Sequence, residues 1–229
     1  LKAISEERMD EALLIVAMNS DNYAGTCYMY YPEYSAGYGN GVSVSYFPRG
    51  GDETTFAQLL HHAACGHGFA KLADEYAYEE YGTISVDEIN AIKEQQNSWG
   101  WWKNVDFTND LWQIRWSKVI NDSRYANEGL GAYEGGLTYW TGVWRPTENS
   151  IMRYNTGGFN APSREAIYYR IHKFPTYTTS TIGDLNLPNR ENYTSDQEYN
   201  SAYREAISTK LQDTEYFLIK DSSNTNYKA

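Results

Sequence analysis

Three of the four histidines in this 229-residue chain lie close together, at His61, His62 and His67. An acidic pair, Asp74 and Glu75, follows them after a short apolar segment. Imidazole nitrogens and carboxylate oxygens are ligands that zinc takes in proteins, and a catalytic zinc site combines three such ligands with a water molecule. The residue types therefore predict a Zn²⁺ site with histidine ligands and either Asp74 or Glu75 as its third ligand.

The spacing of the histidines is unusual for a metal site on a helix. Two ligands on an α-helix normally lie four residues apart, because that step returns to the same face. His62 and His67 are five residues apart, so they converge only if the helix contains a bulge, which we expect at Gly66. His61 and Cys65 have the regular spacing, but that pair would leave the other two histidines unexplained.

The segments before the histidines predict a sheet that supports this helix. Residues 12–18 form a continuous apolar run, which is typical of a buried strand. Because such a strand lacks earlier partners, we expect sequence before Leu1 to belong to the same fold. Residues 41–47 alternate with period two and stop at Pro48, which favours an exposed edge strand. Asp52 then caps the helix that leads into the histidines.

The chain after the acidic pair is less regular. A polar, tyrosine-rich loop is followed by Ser85 and Glu88, a capping box that opens a helix to about Gln96. Residues 99–116 contain five tryptophans, which either pack a coil region onto the core or form an aromatic wall for a ligand. Repeated glycines in residues 128–142 predict a long loop.

Composition limits the classes of function. The chain carries 30 acidic and 19 basic residues, and this net charge of −11 argues against nucleic acid or an anionic membrane as a partner. No apolar run approaches the length of a transmembrane helix. Two cysteines, Cys27 and Cys65, exclude a disulfide-rich scaffold but allow one bridge. We place a single folded domain in residues 1–173, whereas residues 174–229 are polar and have no assignable domain.

The segment from His62 to Tyr76 resembles the zinc-binding motif of the bacterial IgA-peptidase family of secreted metallopeptidases. That motif is H-E-x-x-H or H-E-x-x-G-H with a tail like G-x-x-L-A-D-E-Y, and this chain reads H-A-A-C-G-H-G-F-A-K-L-A-D-E-Y. The five-residue step is also similar to that of the dipeptidyl peptidase III class. The resemblance implies an α/β, metzincin-like zinc peptidase domain with a twisted mixed sheet, and it implies Asp74 rather than Glu75 as the third ligand.

A second stretch agrees with this resemblance. Ser150, Met152 and Tyr154 match the S-x-M-x-Y pattern of the metzincin Met-turn, which precedes a C-terminal helix, here predicted in residues 160–173. The resemblance implies that Met152 forms the apolar floor of the site and that Tyr154 reaches the metal or the oxyanion. It also implies that the strand at residues 41–47 is the edge to which an extended peptide substrate adds.

Ala63 stands where the family has a glutamate. That glutamate is the general base that takes a proton from the zinc-bound water, and alanine cannot replace it. We therefore expect a chain that binds zinc without turnover. A Glu-to-Ala exchange at this position is the usual way to inactivate such an enzyme, so we expect an engineered inactive form, with a natural pseudoenzyme as the alternative.

The resemblance implies a zinc-dependent endopeptidase of a bacterium, secreted or held at the cell surface. Its implied substrate is a protein or glycoprotein, for example immunoglobulin. The alternative is a pseudoenzyme or a binding module whose Trp- and Tyr-rich surface holds a glycan or a protein. Exchange of a zinc-bound water for small chelating ligands would favour the peptidase, whereas glycan binding that survives metal removal would favour the module.

Overall fold

The computed structural model describes residues 9–22, 24–32, 39–49, 52–173, 192–195, 198 and 201–202. The chain divides into two compact units, Leu1–Lys173 and Phe174–Ala229. All elements given below belong to the first unit. The polar segment predicted after residue 173 lies largely outside the described residues.

Two small mixed sheets and several helices make the first unit an α/β structure, and the predicted fold class is confirmed at that level. The first sheet has the order β1-β3-β2 and consists of β1 (Leu13–Met18), β2 (Thr26–Met29) and β3 (Ser43–Pro48). The second has the order β4-β6-β5 and consists of β4 (Ala77–Thr83), β5 (Tyr133–Gly136) and β6 (Thr138–Arg145). In each sheet the central strand has one parallel and one antiparallel neighbour.

The helices connect and cover these sheets. They are α1 (Glu53–Leu59), a π-helix (Leu60–Phe69) that continues it, α2 (Val86–Ser98), α3 (Ser117–Ile120), a 3₁₀ turn (Ser123–Tyr125), α4 (Ile151–Tyr154) and α5 (Ala161–Lys173). Two predicted helices are confirmed. The Ser85–Glu88 capping box precedes α2, and α5 occupies the position predicted for the C-terminal helix. Among the described residues, no helix has the length and apolar character that a membrane crossing requires.

Residues 59–73 contribute to three apolar clusters, so this segment ties the described unit together. One cluster joins the end of the segment to α4 and α5, a second packs it on β3, and the third joins it to the second sheet. Their buried members are Ala70, Leu72, Ile151, Met152 and Ala166; Phe47, Leu59, Ala63 and Ala64; and Ala73, Ile84, Val105 and Val143.

β3 is the central strand of its sheet, so the prediction of an exposed edge strand at residues 41–47 is wrong. Its two serines, Ser43 and Ser45, are fully buried. The hydroxyl of Ser45 donates a hydrogen bond to the carbonyl of Ala63 in the π-helix (3.1 Å), and the Ser43 hydroxyl accepts one from Lys71. These small polar residues are buried because the helix packs on them and satisfies their hydroxyls.

β1 is less buried than its apolar run predicted. Ile15 and Val16 are 49% and 38% exposed. Within the described residues β1 pairs with β3 alone, so it is an edge of its sheet and not a central, fully covered strand. A continuous apolar run does not distinguish these two positions.

Two stretches predicted as loops form the second sheet instead. The tyrosine-rich segment after Tyr76 is β4, and the glycine-rich residues 128–142 contain β5 and much of β6. Gly135 has a positive φ of 102°, and a β-carbon there would lie 3.1 Å from the side chain of Ala77. Glycine stands here because two strands approach closely. Composition alone does not distinguish a glycine with this role from a glycine in a loop.

The tryptophan-rich segment mostly packs onto the core, which was one of its two interpretations. Trp101 and Trp116 are 2% and 1% exposed, and each indole N–H donates to a backbone carbonyl at 2.7 Å. Trp112 is the exception, because 81% of its surface is exposed.

Candidate metal centre

The π-helix brings His62 and His67 to one face. In a π-helix each N–H bonds to the carbonyl five residues earlier, so a five-residue step returns to the same side. The N–H of Ala70 makes such a bond to Cys65 (3.0 Å) as the helix ends. The sequence predicted a local bulge at Gly66, whereas ten residues adopt the π conformation. The unusual histidine spacing is therefore matched by an unusual helix.

His62, His67 and Asp74 converge on one point. The two Nε2 atoms are 3.0 Å apart, and Oδ1 of Asp74 lies 3.1 Å from that of His62 and 3.0 Å from that of His67. In the described part of the chain, this is the group of His, Cys, Asp and Glu residues whose arrangement could hold a metal ion.

The other ring nitrogens determine which atoms face this point. Nδ1 of His62 lies 2.8 Å from the carbonyl of Ile151, and Nδ1 of His67 lies 2.7 Å from the carbonyl of Leu72. A carbonyl only accepts, so both Nδ1 atoms carry the proton and the neutral rings direct an Nε2 lone pair at Asp74. Three electron-pair donors then face each other at about 3 Å, which requires a cation or a shared proton between them.

This donor set fits zinc. Ligand atoms bound to tetrahedral zinc at about 2.0–2.2 Å lie roughly 3.3–3.5 Å from one another, slightly more than the observed separations. The His62 and His67 side chains are 11% and 13% exposed and that of Asp74 is 24% exposed, so one side of the group stays open. Backbone carbonyls behind both imidazoles give the outer support that zinc histidines usually have.

The electrostatics of the group agree with this arrangement. When a proton and not a metal ion occupies the group, burial alone would raise the pKa of Asp74, but the charge of protonated His67 and hydrogen bonds from the imidazoles hold that pKa well below its usual range. Burial would lower the pKa of His67, and the charge and hydrogen bond of Asp74 outweigh it, so this pKa is raised. A cation is therefore strongly favoured at this position, either as a proton or as a metal ion.

Glu75 points away from this group and is fully buried. Its carboxylate accepts hydrogen bonds from Asn104 (2.9 Å), Ser150 (2.7 Å) and Asn160 (2.9 Å). Burial raises its pKa, and these donors oppose the increase. Asp74 is thus the member of the acidic pair that faces the histidines, while Glu75 joins this segment to the turn before α4 and to the residue before α5.

The side chain of Met152 packs against Gly66 of the histidine helix, while its role as a Met-turn stays a prediction. It is fully buried in α4, and the hydroxyl of Ser150 accepts a hydrogen bond from its N–H (3.1 Å). A β-carbon at Gly66 would overlap the Met152 side chain, since it would lie 2.8 Å from Cε and still closer to the sulfur. The carbonyl next to Met152, that of Ile151, is the one that orients His62.

His62, His67 and Asp74, called the metal group below, border a cavity of about 850 Å³. Ala63 lies in its wall beside His62 and His67, and it is 3% exposed. Tyr154 also lines the cavity, with 54% of its surface exposed and the guanidinium of Arg153 4.6 Å from its ring centre. Both predicted catalytic positions therefore border the same space, while the reaction assigned to them stays a prediction.

β2 forms another wall of this cavity. Thr26, Cys27 and Met29 line it, and β2 is an edge of the first sheet. The strand edge next to the metal group is thus β2, and not the β3 strand that the sequence suggested. Cys27 and Cys65 are both free thiols, so the bridge that the sequence allowed is absent. His61 is exposed and lies outside the metal group, as does Cys65.

Several residues that support the site had no signal in the sequence. Asn104 and Asn160 bind Glu75 from 29 and 85 positions away. Asn104 also exchanges two hydrogen bonds with the backbone of Ala73. A single asparagine in a polar stretch has many possible roles, so only the three-dimensional arrangement identifies these two.

Two comparisons with known proteins add no relative. No protein-family model matches the chain, and no curated protein is similar enough to count as a match.

Proposed function

We propose that this chain is the catalytic domain of a zinc-dependent endopeptidase in which Ala63 stands in place of the general base. The convergence of His62, His67 and Asp74 through a π-helix carries the proposal. A π-helix is uncommon, and such helices occur frequently at functional sites. A histidine pair that depends on one is difficult to explain by core packing alone.

The metzincin-like assignment is part of this proposal. In its favour, the order β1-β3-β2 leaves an antiparallel edge strand at the cavity, and β3 leads into the histidine helix. The buried turn around Met152 and the helix α5 follow in the expected order. Membership of the bacterial IgA-peptidase family, a protein or glycoprotein substrate and a secreted or surface location rest on the motif from His62 to Tyr76 alone.

The chain's own residues suggest how a peptide would bind. β2 has an unpaired edge among the described residues, and its side chains line the cavity. An extended peptide would add to this edge through main-chain hydrogen bonds, with its scissile bond near His62 and His67. Tyr154, which also lines the cavity, would donate a hydrogen bond from its hydroxyl to the developing oxyanion.

A bound zinc ion would supply Lewis acidity and a water of lowered pKa. His62 and His67 would hold it through Nε2 and Asp74 through a carboxylate oxygen. A glutamate at position 63 would accept the proton of the attacking water and pass it to the leaving amine. Ala63 does neither, so substrate binding without turnover is the behaviour we expect of this chain.

A binding module is the second candidate, because aromatic rings extend along the surface beside the cavity. The ring centres of Tyr76 and Tyr78 are 5.4 Å apart and those of Tyr78 and Tyr81 are 5.8 Å apart. Trp140, which also lines the cavity, is 50% exposed. Such rings stack on sugars or on aromatic side chains. Under this alternative, ligand binding would persist after complete metal removal.

The Ala63→Glu variant tests the proposal. With zinc it should hydrolyse an unfolded protein such as casein, and a chelator should stop the reaction. Ala63→Gln is the matched control, because it has nearly the same shape and cannot accept the proton. If Ala63→Glu binds zinc and releases no peptide fragments, the endopeptidase proposal fails.

A further inference from the structure

Arg145 is a buried cation on the wall of the cavity. It is 6% exposed, and one of its terminal nitrogens donates to the carbonyls of Glu134 and Gly135. Its Nε has no hydrogen-bond partner among the described residues, and no carboxylate there forms an ion pair with it. The charges of Glu75 and Glu148 act on Arg145 only from beyond ion-pairing distance. A buried guanidinium with no carboxylate in direct contact is unfavourable, so an anion from outside would stabilise it.

Arg153 places a second positive charge on the same cavity. One of its terminal nitrogens donates to the carbonyl of Glu148, and its guanidinium lies over the ring of Tyr154. The described residues offer it no ion pair either. The two arginines are close enough that Arg153 contributes to lowering the pKa of Arg145, after burial as the main cause. Two like charges facing one space destabilise each other unless an anion lies between them.

The acidic residues of the cavity do not neutralise this pair. Asp74 is turned towards His62 and His67, and the carboxylate of Glu134 accepts a hydrogen bond from the N–H of Gly142 (3.0 Å). A divalent ion at the metal group would add further positive charge. The part of the cavity beside the two arginines therefore favours an anion, although the whole chain has a net charge of −11.

We propose that Arg145 and Arg153 form a carboxylate-binding subsite beside the metal group, which rests on the proposed peptidase function and narrows its substrates to peptides that present a carboxylate near the scissile bond. A guanidinium presents donors in a planar fork that matches a carboxylate, and such charge-assisted pairs are the strong ones. The carboxylate is either an Asp or Glu side chain next to the scissile bond or the free C-terminus of a short peptide. Both sources present the same carboxylate group. A side-chain carboxylate is compatible with cleavage inside a chain, whereas a free C-terminus restricts cleavage to the end of a peptide.

Peptide binding tests this subsite, because we expect a chain with Ala63 to bind peptides without cleaving them. Three fluorescent peptide pools have identical lengths, and their random positions contain neither Asp nor Glu. The first contains Glu at one fixed position and a C-terminal amide, the second has Gln there with the amide, and the third has Gln with a free C-terminus. Fluorescence anisotropy on the metal-free chain should give at least one acidic pool binding about tenfold more tightly than the neutral pool. The tighter acidic pool identifies the source of the carboxylate.

Variants connect the preference to these arginines. Arg153→Met should reduce the preference to less than about twofold, a loss of roughly one charge-assisted contact. Arg145→Lys keeps the charge but loses the fork, and it should weaken the preference in part. Arg124→Met is the matched control, because Arg124 is exposed, pairs with Asp122 and lies outside the cavity. That variant should bind all pools like the unaltered chain.

Equal binding of acidic and neutral pools would overturn the subsite, and so would a preference that survives Arg153→Met. These outcomes are separate from the fate of the peptidase proposal. The zinc content of the chain and proteolysis by the Ala63→Glu variant test the peptidase proposal. The peptide-binding measurement uses neither zinc nor that variant. Proteolysis without an acidic preference would therefore reject the subsite alone.

Discussion

The side chain of Met152 occupies the space that a β-carbon of Gly66 would need. This contact joins the turn before α5 to the π-helix, one residue before His67. The same turn holds His62 through the carbonyl of Ile151. A turn that comes about 85 residues later in the chain thus orients His62 directly and packs against the residue before His67.

Replacing Gly66 tests this contact. Gly66→Ala forces Met152 or the helix to move, so it should lower the free energy of unfolding by about 1–3 kcal/mol and weaken zinc binding. Gly158→Ala is the control, because nothing lies within 4 Å of its added β-carbon. Denaturant unfolding of the two variants measures the difference. Equal stability of Gly66→Ala and the unaltered chain would show that the packing is not as tight as described.

Variants of the two neighbouring carboxylates, Asp74 and Glu75, should distinguish an effect on zinc binding from an effect on the stability of the fold. Asp74→Asn removes the charge that faces both histidines, and it should weaken zinc far more than it affects unfolding. Glu75→Gln leaves three donors facing an amide, and it should lower the free energy of unfolding by about 1–3 kcal/mol with a smaller effect on zinc. Titration with zinc and denaturant unfolding measure the two effects. The opposite order of zinc affinities would make Glu75 the ligand.

Lys71 should give the fold a pH dependence in mildly alkaline solution. It is fully buried, and its ammonium donates to the carbonyl of Gly41 and the hydroxyl of Ser43. Burial, assisted by Arg170, lowers its pKa to about 7. From pH 7 to about 10 the unfolded chain then holds a proton that the folded chain has released, so the free energy of unfolding rises with pH.

The Lys71→Met variant isolates this effect because it has a similar length and no proton to lose. The unfolding free energy of the unaltered chain, relative to Lys71→Met, should increase between pH 7 and pH 9 by up to about 1.4 kcal/mol per pH unit. Below the folded pKa both states bind the proton, so the difference should be constant there. A difference that stays constant up to pH 9 would mean that Lys71 keeps an ordinary pKa in the fold.

The sequence predicted most of the residues that converge, because their types and local spacing carry the information. His62, His67 and the acidic pair lie within one short segment, and the pattern at Ser150, Met152 and Tyr154 indicated the turn beneath them. The length of the π-helix was not predictable, since apolar periodicity assumes the α-helical repeat. Choosing between Asp74 and Glu75 required the resemblance, because both carboxylates are equally capable ligands.

The strand environments were predicted less well, for a physical reason. Whether a strand lies at the edge or the centre of a sheet depends on its neighbours, and sequence periodicity reports only the two faces. Residues 41–47 were predicted as an exposed edge strand, yet Ser45 is buried against Ala63. Arg145 gave no signal, because the absence of a carboxylate in contact with its guanidinium becomes visible only when the surrounding side chains are in place.

The zinc content of the purified chain tests the central claim most directly. After incubation with zinc and removal of free metal, elemental analysis should give about one zinc per chain. His67→Ala should retain almost none, whereas His61→Ala should retain the full amount because His61 is exposed and outside the group. A folded, unaltered chain without zinc, or a His67→Ala variant with its full zinc content, would contradict the assignment of His62, His67 and Asp74 as a zinc site.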